Sequence, residues 1–354
     1  MSLFRSPSPL PWLVRDTFRQ SMASGIFWLM LGVSVVCVAV CLTATEVPAP
    51  PPEPQPPAPA PTGIGLVDVA RARRHPASMV LGPAMIVAQS HLRARAAPQP
   101  PAPTGYLQIL FGSLRVPVYC ERGPAVRGLQ LQLAAWVADA AGLLLALMWT
   151  AGFLPSFLEA GAVVVLLAKP VSRTTLLLGK FLGVLLFVTL QALLFVAGTW
   201  LALALRTGVW DATYFLCVPL LLLHFAVFFS FSVMLAVVTR STVACVFGSI
   251  VFWLFCWAVN FGRHAALLLP EFQNADPGLF STMELFYWTL PKPLDFHEVM
   301  VGLFQGQASA GQIVNVQGLA ARGAWLPGLS LLASALAAAG LLVLAAYEFL
   351  TAEY

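Results

Sequence analysis

Hydrophobic positions in this chain fall in long unbroken runs, not in the alternation of a strand or the stripe of a surface helix. Crossing the hydrocarbon of a bilayer takes about 20 apolar residues in helical form. Runs of that length occupy 25–44, 131–153, 176–205, 214–238, 243–260 and 326–349. The first carries no charge. Asp139 interrupts the second, Lys180 stands at the start of the third, where its stem can snorkel, His224 lies in the fourth and Glu348 ends the sixth. A membrane barrel would show shorter segments of alternating polarity. The pattern therefore predicts six transmembrane helices.

Composition agrees. Hydrophobic residues make up 59% of the chain and charged residues 10%, against about a quarter charged in soluble domains. With a mean hydropathy of +0.83, an ordinary soluble enzyme and a disordered chain are excluded. A net charge of +4 is too small to imply a polyanionic partner, so nucleic acid is not expected. The expected fold class is an all-α integral membrane protein. Cys37, Cys41, Cys217, Cys245 and Cys256 fall within spans and Cys120 outside them; without a CxxC pair, neither a disulfide framework nor a metal site is expected.

An even number of spans puts both termini on one side. With the N-terminus inside, the short inner segments hold Arg5, Arg15, Arg19, Lys169, Arg173, Lys180 and Arg240, against Arg206, Arg263, Lys292 and Arg322 in the outer loops after spans three and five. The excess favours cytoplasmic N- and C-termini, the long loop after span one being exempt from this rule. Segments 1–24 (amphipathic over 10–22), 154–175, 239–242 and 350–354 are then cytoplasmic, and 45–130, 206–213 and 261–325 extracytoplasmic. The apolar run of 25–44 is longer than a signal-peptide core and lacks a convincing small-x-small cleavage site.

The outer loop 45–130 is a proline-rich insertion. VPAPPPEPQPPAPAP over 47–61 reads as a stiff polyproline II spacer, and a shorter one follows over 97–103. The patch 79–88 is too short to span. Residues 106–118 are rich in β-formers around Gly112-Ser113 and suit a hairpin. In the second outer loop, FYWTLPKPLDF over 286–296 has Pro291 and Pro293, which are expected to prevent regular helix, and aromatics suited to the lipid interface.

The most informative stretch is SFLEAGAVVVLLAKPVSRTTLLLGK over 156–180. Residues 156–168 form an apolar run of helical length, too short to cross a bilayer and too greasy to stand free in water. Lys169-Pro170 stops it, and Ser172 is placed to cap the next helix. A short helix lying crosswise at the membrane surface fits a groove on another protein; an interfacial helix with no partner is the plainer reading.

That stretch resembles the first intracellular loop of ABC-2 type transporter permeases, whose pattern runs approximately E-x-x-G-T-x-x-x-L-L-x-x-P-[IV]-x-R-x-x-x-x-x-G-K. Glu159, Leu166, Leu167, Pro170, Val171, Arg173, Gly179 and Lys180 match, while Gly161-Ala162 stands shifted where Gly-Thr is expected. The resemblance implies a permease subunit that pairs with a second permease subunit, as a homo- or heterodimer in membrane lipid. Each would rest on a separate ABC ATP-binding subunit. Glu159, Gly161, Lys169, Pro170, Arg173 and Lys180 would form the docking loop. It further implies a multi-pass exporter of a bacterial inner membrane, with no cofactor and no enzymatic activity in this chain, ATP being bound and hydrolysed by the partner. The residues agree on the last point: a phosphate loop ending at Gly179-Lys180 would need glycine at Thr174 and serine or threonine at Phe181.

Asp139, Gln191 and His224 are the polar side chains placed well within spans. A charge at bilayer depth costs about 2.5–3.5 kcal/mol on insertion scales, so these groups should face a substrate path or one another across helices. The alternative function, an ion-coupled secondary transporter or channel, would call for more intramembrane acids and interrupted helices. A membrane-embedded enzyme finds no support: H-E-x-x-H and G-x-S-x-G are both missing from the sequence.

Overall fold

The computed structural model describes residues 10–48, 105–118, 122–157, 172–268, 277–304 and 316–351. Six helices among them are long and apolar enough to cross a membrane. A short helix α1 (Leu10–Ala23) leads into the first of these, α2 (Gly25–Leu42). The next is α3 (Arg122–Ser156), which is π-helical over Leu133–Gly142. Then come α4 (Arg173–Thr207), α5 (Cys217–Thr239) and α6 (Thr242–Leu268). Three shorter helices, α7 (Pro277–Thr289), α8 (Pro293–Leu303) and α9 (Val316–Ala321), precede the last span, α10 (Pro327–Thr351).

Helix boundaries have local causes. Ser172 caps α4 as its position suggested, its hydroxyl accepting from the Thr175 amide at 3.2 Å. At the other end Gly208 takes the left-handed conformation (φ 73°) that closes the helix. Arg240 adopts the same conformation (φ 52°) to turn α5 directly into α6.

Helix α5 is the axis of the bundle. Of its apolar window 61% is buried, against 17% for α2 and α6 and 22% for α10. It packs on α3, α4, α6, α8 and α10. The outer helices keep apolar faces outward, as lipid requires. Close approach of backbones supplies much of the cohesion, since lipid tails are as apolar as leucine. At Gly183 on α4, a Cβ would lie 2.9 Å from Thr17 Oγ1 of α1, so α1 seats directly on α4.

The spans alternate between two ends. At one, α1 and the last turn of α10 both lie against the first turns of α4, through Lys180–Asp16 and through Arg173, which donates to the Leu350 carbonyl. At the other, Arg206 at the end of α4 donates to the Ala44 carbonyl (3.0 Å), and Arg127 of α3 faces Asp211 ahead of α5 (3.4 Å).

Two features of the loops differ from the sequence reading. The expected hairpin forms, as β2 (Gly105–Ile109) and β3 (Leu114–Val118), but a third strand joins it. β1 (Thr45–Pro48) pairs antiparallel with β2, Val47 opposite Tyr106 and Pro48 opposite Gly105. Thus the chain is not wholly α, and Val47 and Pro48 belong to a sheet edge, where proline is tolerated, and not to a spacer. The remainder of 47–61, and 79–88 and 97–103, lie outside the described residues. In 286–296 the prolines do not abolish helix. They separate two: α7 ends at Thr289 and Pro293 occupies the first turn of α8, where its missing amide hydrogen costs nothing. Nor do all its aromatics meet lipid, since Tyr287 and Phe296 are buried.

Gly183→Val should displace α1 from α4. Limited trypsin digestion at the exposed Arg15 and Arg19 is expected to speed up in the variant, while cleavage elsewhere keeps its rate.

Candidate functional site

The segment expected from the sequence to be a docking loop is flanked by the last turn of α3 and the first turns of α4. Glu159, Gly161, Lys169 and Pro170 lie outside the described residues; Arg173 and Lys180 lie within them. Lys180 is 1% exposed. Its ammonium neither snorkels to water nor stands on the surface, because α1 covers it: it donates to Asp16 Oδ2 at 3.0 Å and to Gln20 Oε1 at 2.8 Å. The amide nitrogen of Gln20 in turn donates to Ser156 Oγ at 2.8 Å. One side chain of α1 therefore grips α3 and α4 on either side of that segment. Arg173 donates to the carbonyls of Phe349 and Leu350, tying α4 to the exposed carbonyls at the end of α10. Asp16 and Gln20 were not singled out from sequence, although their spacing places both on one face of an amphipathic helix.

Deeper in the bundle, Asp139 and His224 meet. His224 Nδ1 lies 2.6 Å from Asp139 Oδ1, both residues being buried. His297 of α8 approaches the second oxygen, Nδ1 4.0 Å from Asp139 Oδ2. Phe296 stacks on the His224 ring with centroids 4.6 Å apart. Gln191 is not part of this group; its amide donates to Ser34 Oγ of α2 at 3.2 Å.

A second polar cluster, missed from sequence, surrounds Asp295. Its carboxylate meets His264 Nε2 at 2.7 Å and accepts from Asn260 Nδ2 at 2.9 Å, from the Tyr287 hydroxyl at 2.7 Å and from the Ser330 hydroxyl. Helices α6, α7, α8 and α10 are thereby joined at one fully buried acid. Asn260 adds a cap in trans: its carbonyl accepts from the amides of Leu294 and Asp295 at 3.0 and 3.2 Å, since Lys292 at the cap position of α8 has nothing to accept with. Beside it Arg263 donates to Glu284 Oε1 at 2.8 Å and lies 3.9 Å over the Tyr287 ring. The signal that could have found Asp295 is its place two residues after Pro293, in the pattern of a helix start.

Electrostatics follow the burial. Burial alone would raise the Asp295 carboxyl, but the His264 contact and the Ser330 and Tyr287 hydroxyls hold it below its usual range. Burial, reinforced by Asp295, pushes the Tyr287 phenol up. The Lys292 ammonium is buried against the Tyr287 and Trp288 rings, and burial lowers it to about 8.

Among the described residues no group of histidine, cysteine and acidic side chains could hold a metal ion. The arrangement is one of helices cross-linked by hydrogen bonds, with a gripped segment at one end.

A family model described as ABC-2 family transporter protein matches residues 63–354. This chain belongs to that family. It is a multi-pass membrane protein and an ABC-2 permease, and the match takes in α3 to α10 and the segment 154–175. A search of curated proteins finds no match to the chain. The permease's two polar clusters both lie within the matched region, and α1, which bonds to Lys180, and α2, which carries Ser34, lie before it.

Two substitutions probe the Asp295 cluster. Asp295→Ala strands its buried donors and should cost about 3–5 kcal/mol, seen as a large fall in melting temperature of the purified permease. Lys292→Met should act oppositely. A lysine held down at about 8 binds fewer protons folded than unfolded between that pH and its ordinary 10.5, so wild-type stability rises with pH across this window. The variant is expected to melt higher than wild type at pH 7, with the difference shrinking toward pH 10.

Proposed function

We propose that this permease is the membrane half of an ATP-driven exporter in a bacterial inner membrane, working as a pair of permease subunits. Each subunit is driven by a separate ATP-binding subunit docked on the cytoplasmic segment 154–175, with Glu159, Gly161, Lys169 and Pro170 on the docking face. ATP is held and hydrolysed by the partner; this chain carries no phosphate loop. Both termini and α1 are then cytoplasmic, and the sheet and the proline-rich insertion extracytoplasmic.

The observation that carries this reading is the attachment of the segment's flanks. Family membership supplies the expectation of an ATPase partner, and the bonds from Gln20 to Ser156 and to Lys180 supply the linkage. A push on a segment so anchored reaches α1, α3, α4 and, through Arg173, α10 together. This is the behaviour required of a lever that converts closure of two nucleotide-bound domains into repacking of spans. Arg173 and Lys180 serve in this reading as anchors of the lever, their side chains being engaged by α10 and α1.

An ion-coupled carrier is the second reading, favoured by the buried Asp139 with two histidines near it. Transport that persists without any ATPase would select it.

Co-purification with the ATP-binding subunit from the same cells tests the first. The double variant Glu159→Arg, Lys169→Glu is expected to reduce recovery of that subunit severalfold while the permease itself stays folded. Undiminished recovery removes the docking segment from the coupling path.

A further inference from the structure

β1 leads off from the end of α2, and β2 pairs antiparallel with it, so β2 runs back toward that helix end. Gln108 stands opposite Thr45, and two residues further on the Leu110 amide donates to Thr43 Oγ1 at 2.9 Å. The Thr43 hydroxyl spends its own hydrogen on the Val40 carbonyl at 2.6 Å, which leaves its oxygen to accept. The turn of the hairpin, 110–113, is thus fastened to the residue that caps α2. Leu107 and Ile109 are buried in the core behind it, so the turn is carried on a packed base.

The depth of this turn follows from the helix. α2 has 18 residues, which at 1.5 Å of rise span about 27 Å, close to the ~30 Å of bilayer hydrocarbon. Its cap therefore lies near the boundary between hydrocarbon and headgroups. Neighbouring Cα atoms are about 3.8 Å apart, so Phe111 sits within roughly 10 Å of Thr43.

The residues found there do not suit an aqueous turn. Leu110 and Phe111 both take the left-handed conformation (φ 55° each), followed by Gly112 at 93°. Hairpin turns usually give such positions to glycine, asparagine or aspartate, since a Cβ crowds the following carbonyl. Leu110 is 44% exposed and Phe111 95%. Residues 105–114 carry no charge, and the first charge after the turn is the cation Arg115. In water a strained leucine and phenylalanine gain nothing from this placement, whereas burial of their apolar surface in lipid would offset the strain. Lipid is also at hand, because Leu42, next to Thr43, and Val35 and Val36 of the same helix present exposed apolar side chains.

We propose that the hairpin turn inserts into the lipid interface at this end of α2, with Leu110 and Phe111 among the upper acyl chains. Arg115, paired with Gln108 further from the turn, then stands at the level of the lipid phosphates. The inserted turn and the bond to Thr43 together hold the sheet against the membrane surface. Lipid is the occupant because it already borders α2 at this depth, where a protein partner would first have to displace it. Neither the sidedness of the chain nor the docking reading above enters the argument.

The test uses the full-length permease in phosphatidylcholine nanodiscs. A nitroxide is placed on Phe111→Cys and, as a lipid-facing reference, on Val36→Cys, with wild type carried through the same labelling to give the background of native thiols. Collision with oxygen, which concentrates in hydrocarbon, is compared with collision with a water-soluble nickel chelate. Oxygen is expected to dominate at position 111 as at position 36. A second arm leaves the protein unlabelled: phosphatidylcholine bearing a diazirine high on its acyl chain is irradiated, and adducts are mapped by mass spectrometry. Wild type should carry adducts on Leu110 or Phe111. Phe111→Gly, which keeps the left-handed backbone without the ring, should lower them severalfold and leave adducts on α2 unchanged. Nickel-dominated collision at position 111, a nitroxide shielded from both reagents by a protein partner, no wild-type adducts at the turn, or adducts undiminished in Phe111→Gly would each overturn the proposal.

Discussion

A bilayer offers no hydrogen bonds, so a polar group carried into it fastens together whichever helices hold its partners. Apolar packing cannot do this alone, because lipid is as good a neighbour for leucine as another helix is. Individual bonds of this kind average only about 0.6 kcal/mol, yet an unmet polar group costs more. Their main effect is therefore on which helices lie side by side. Lys180 fixes α1 on α4, Ser34 and Gln191 fix α2 on α4, and Asp139 and His224 fix α3 on α5. Asp295 gathers four helices at once. Gln191 Oε1 is among the buried atoms for which the described residues supply no partner.

Helix α8 shows how a short element can serve two such clusters. Consecutive residues of a helix point about 100° apart. Asp295 reaches α6, α7 and α10, Phe296 lies on His224 of α5, and His297 turns toward Asp139 and Trp136 of α3. Read as part of an aromatic, proline-interrupted loop, these residues have no evident relation. Wound into a helix, they join the two buried aspartates through one rigid turn.

That contrast marks what the sequence makes legible. Spans are set by composition over some twenty positions, and any such run must be helical in lipid. All six could therefore be read directly. Their ends could not, since the deciding partners are distant in sequence. α6 continues through Asn260, Arg263 and His264 because α7 and α8 satisfy these groups in place of water. Arg122 of α3 is met by Glu46 of β1, a partner far from it in sequence. Asp139, Gln191 and His224 were recognisable as polar groups in need of partners, and the pairing of Asp139 with His224 was one of the readings open from the start. That Lys180 would be met by Asp16 and Gln20, and not by water, depends on where α1 folds back, which periodicity does not determine.

α3 is the element that reaches both regions of interest. Its last turn holds Ser156, bonded to α1 beside the proposed docking segment, and its middle carries Asp139 and part of the wall of a cavity among the middle spans, Ala138 and Gly142 included. Between these points the helix makes a turn at Ala151–Gly152. On the proposed docking, a displacement applied at Ser156 passes through that turn to the π-helical stretch, where a wider turn can return to the α form by a shift of one residue. Such a shift would rotate Asp139 relative to His224 and change the room beside Gln191 in the same motion.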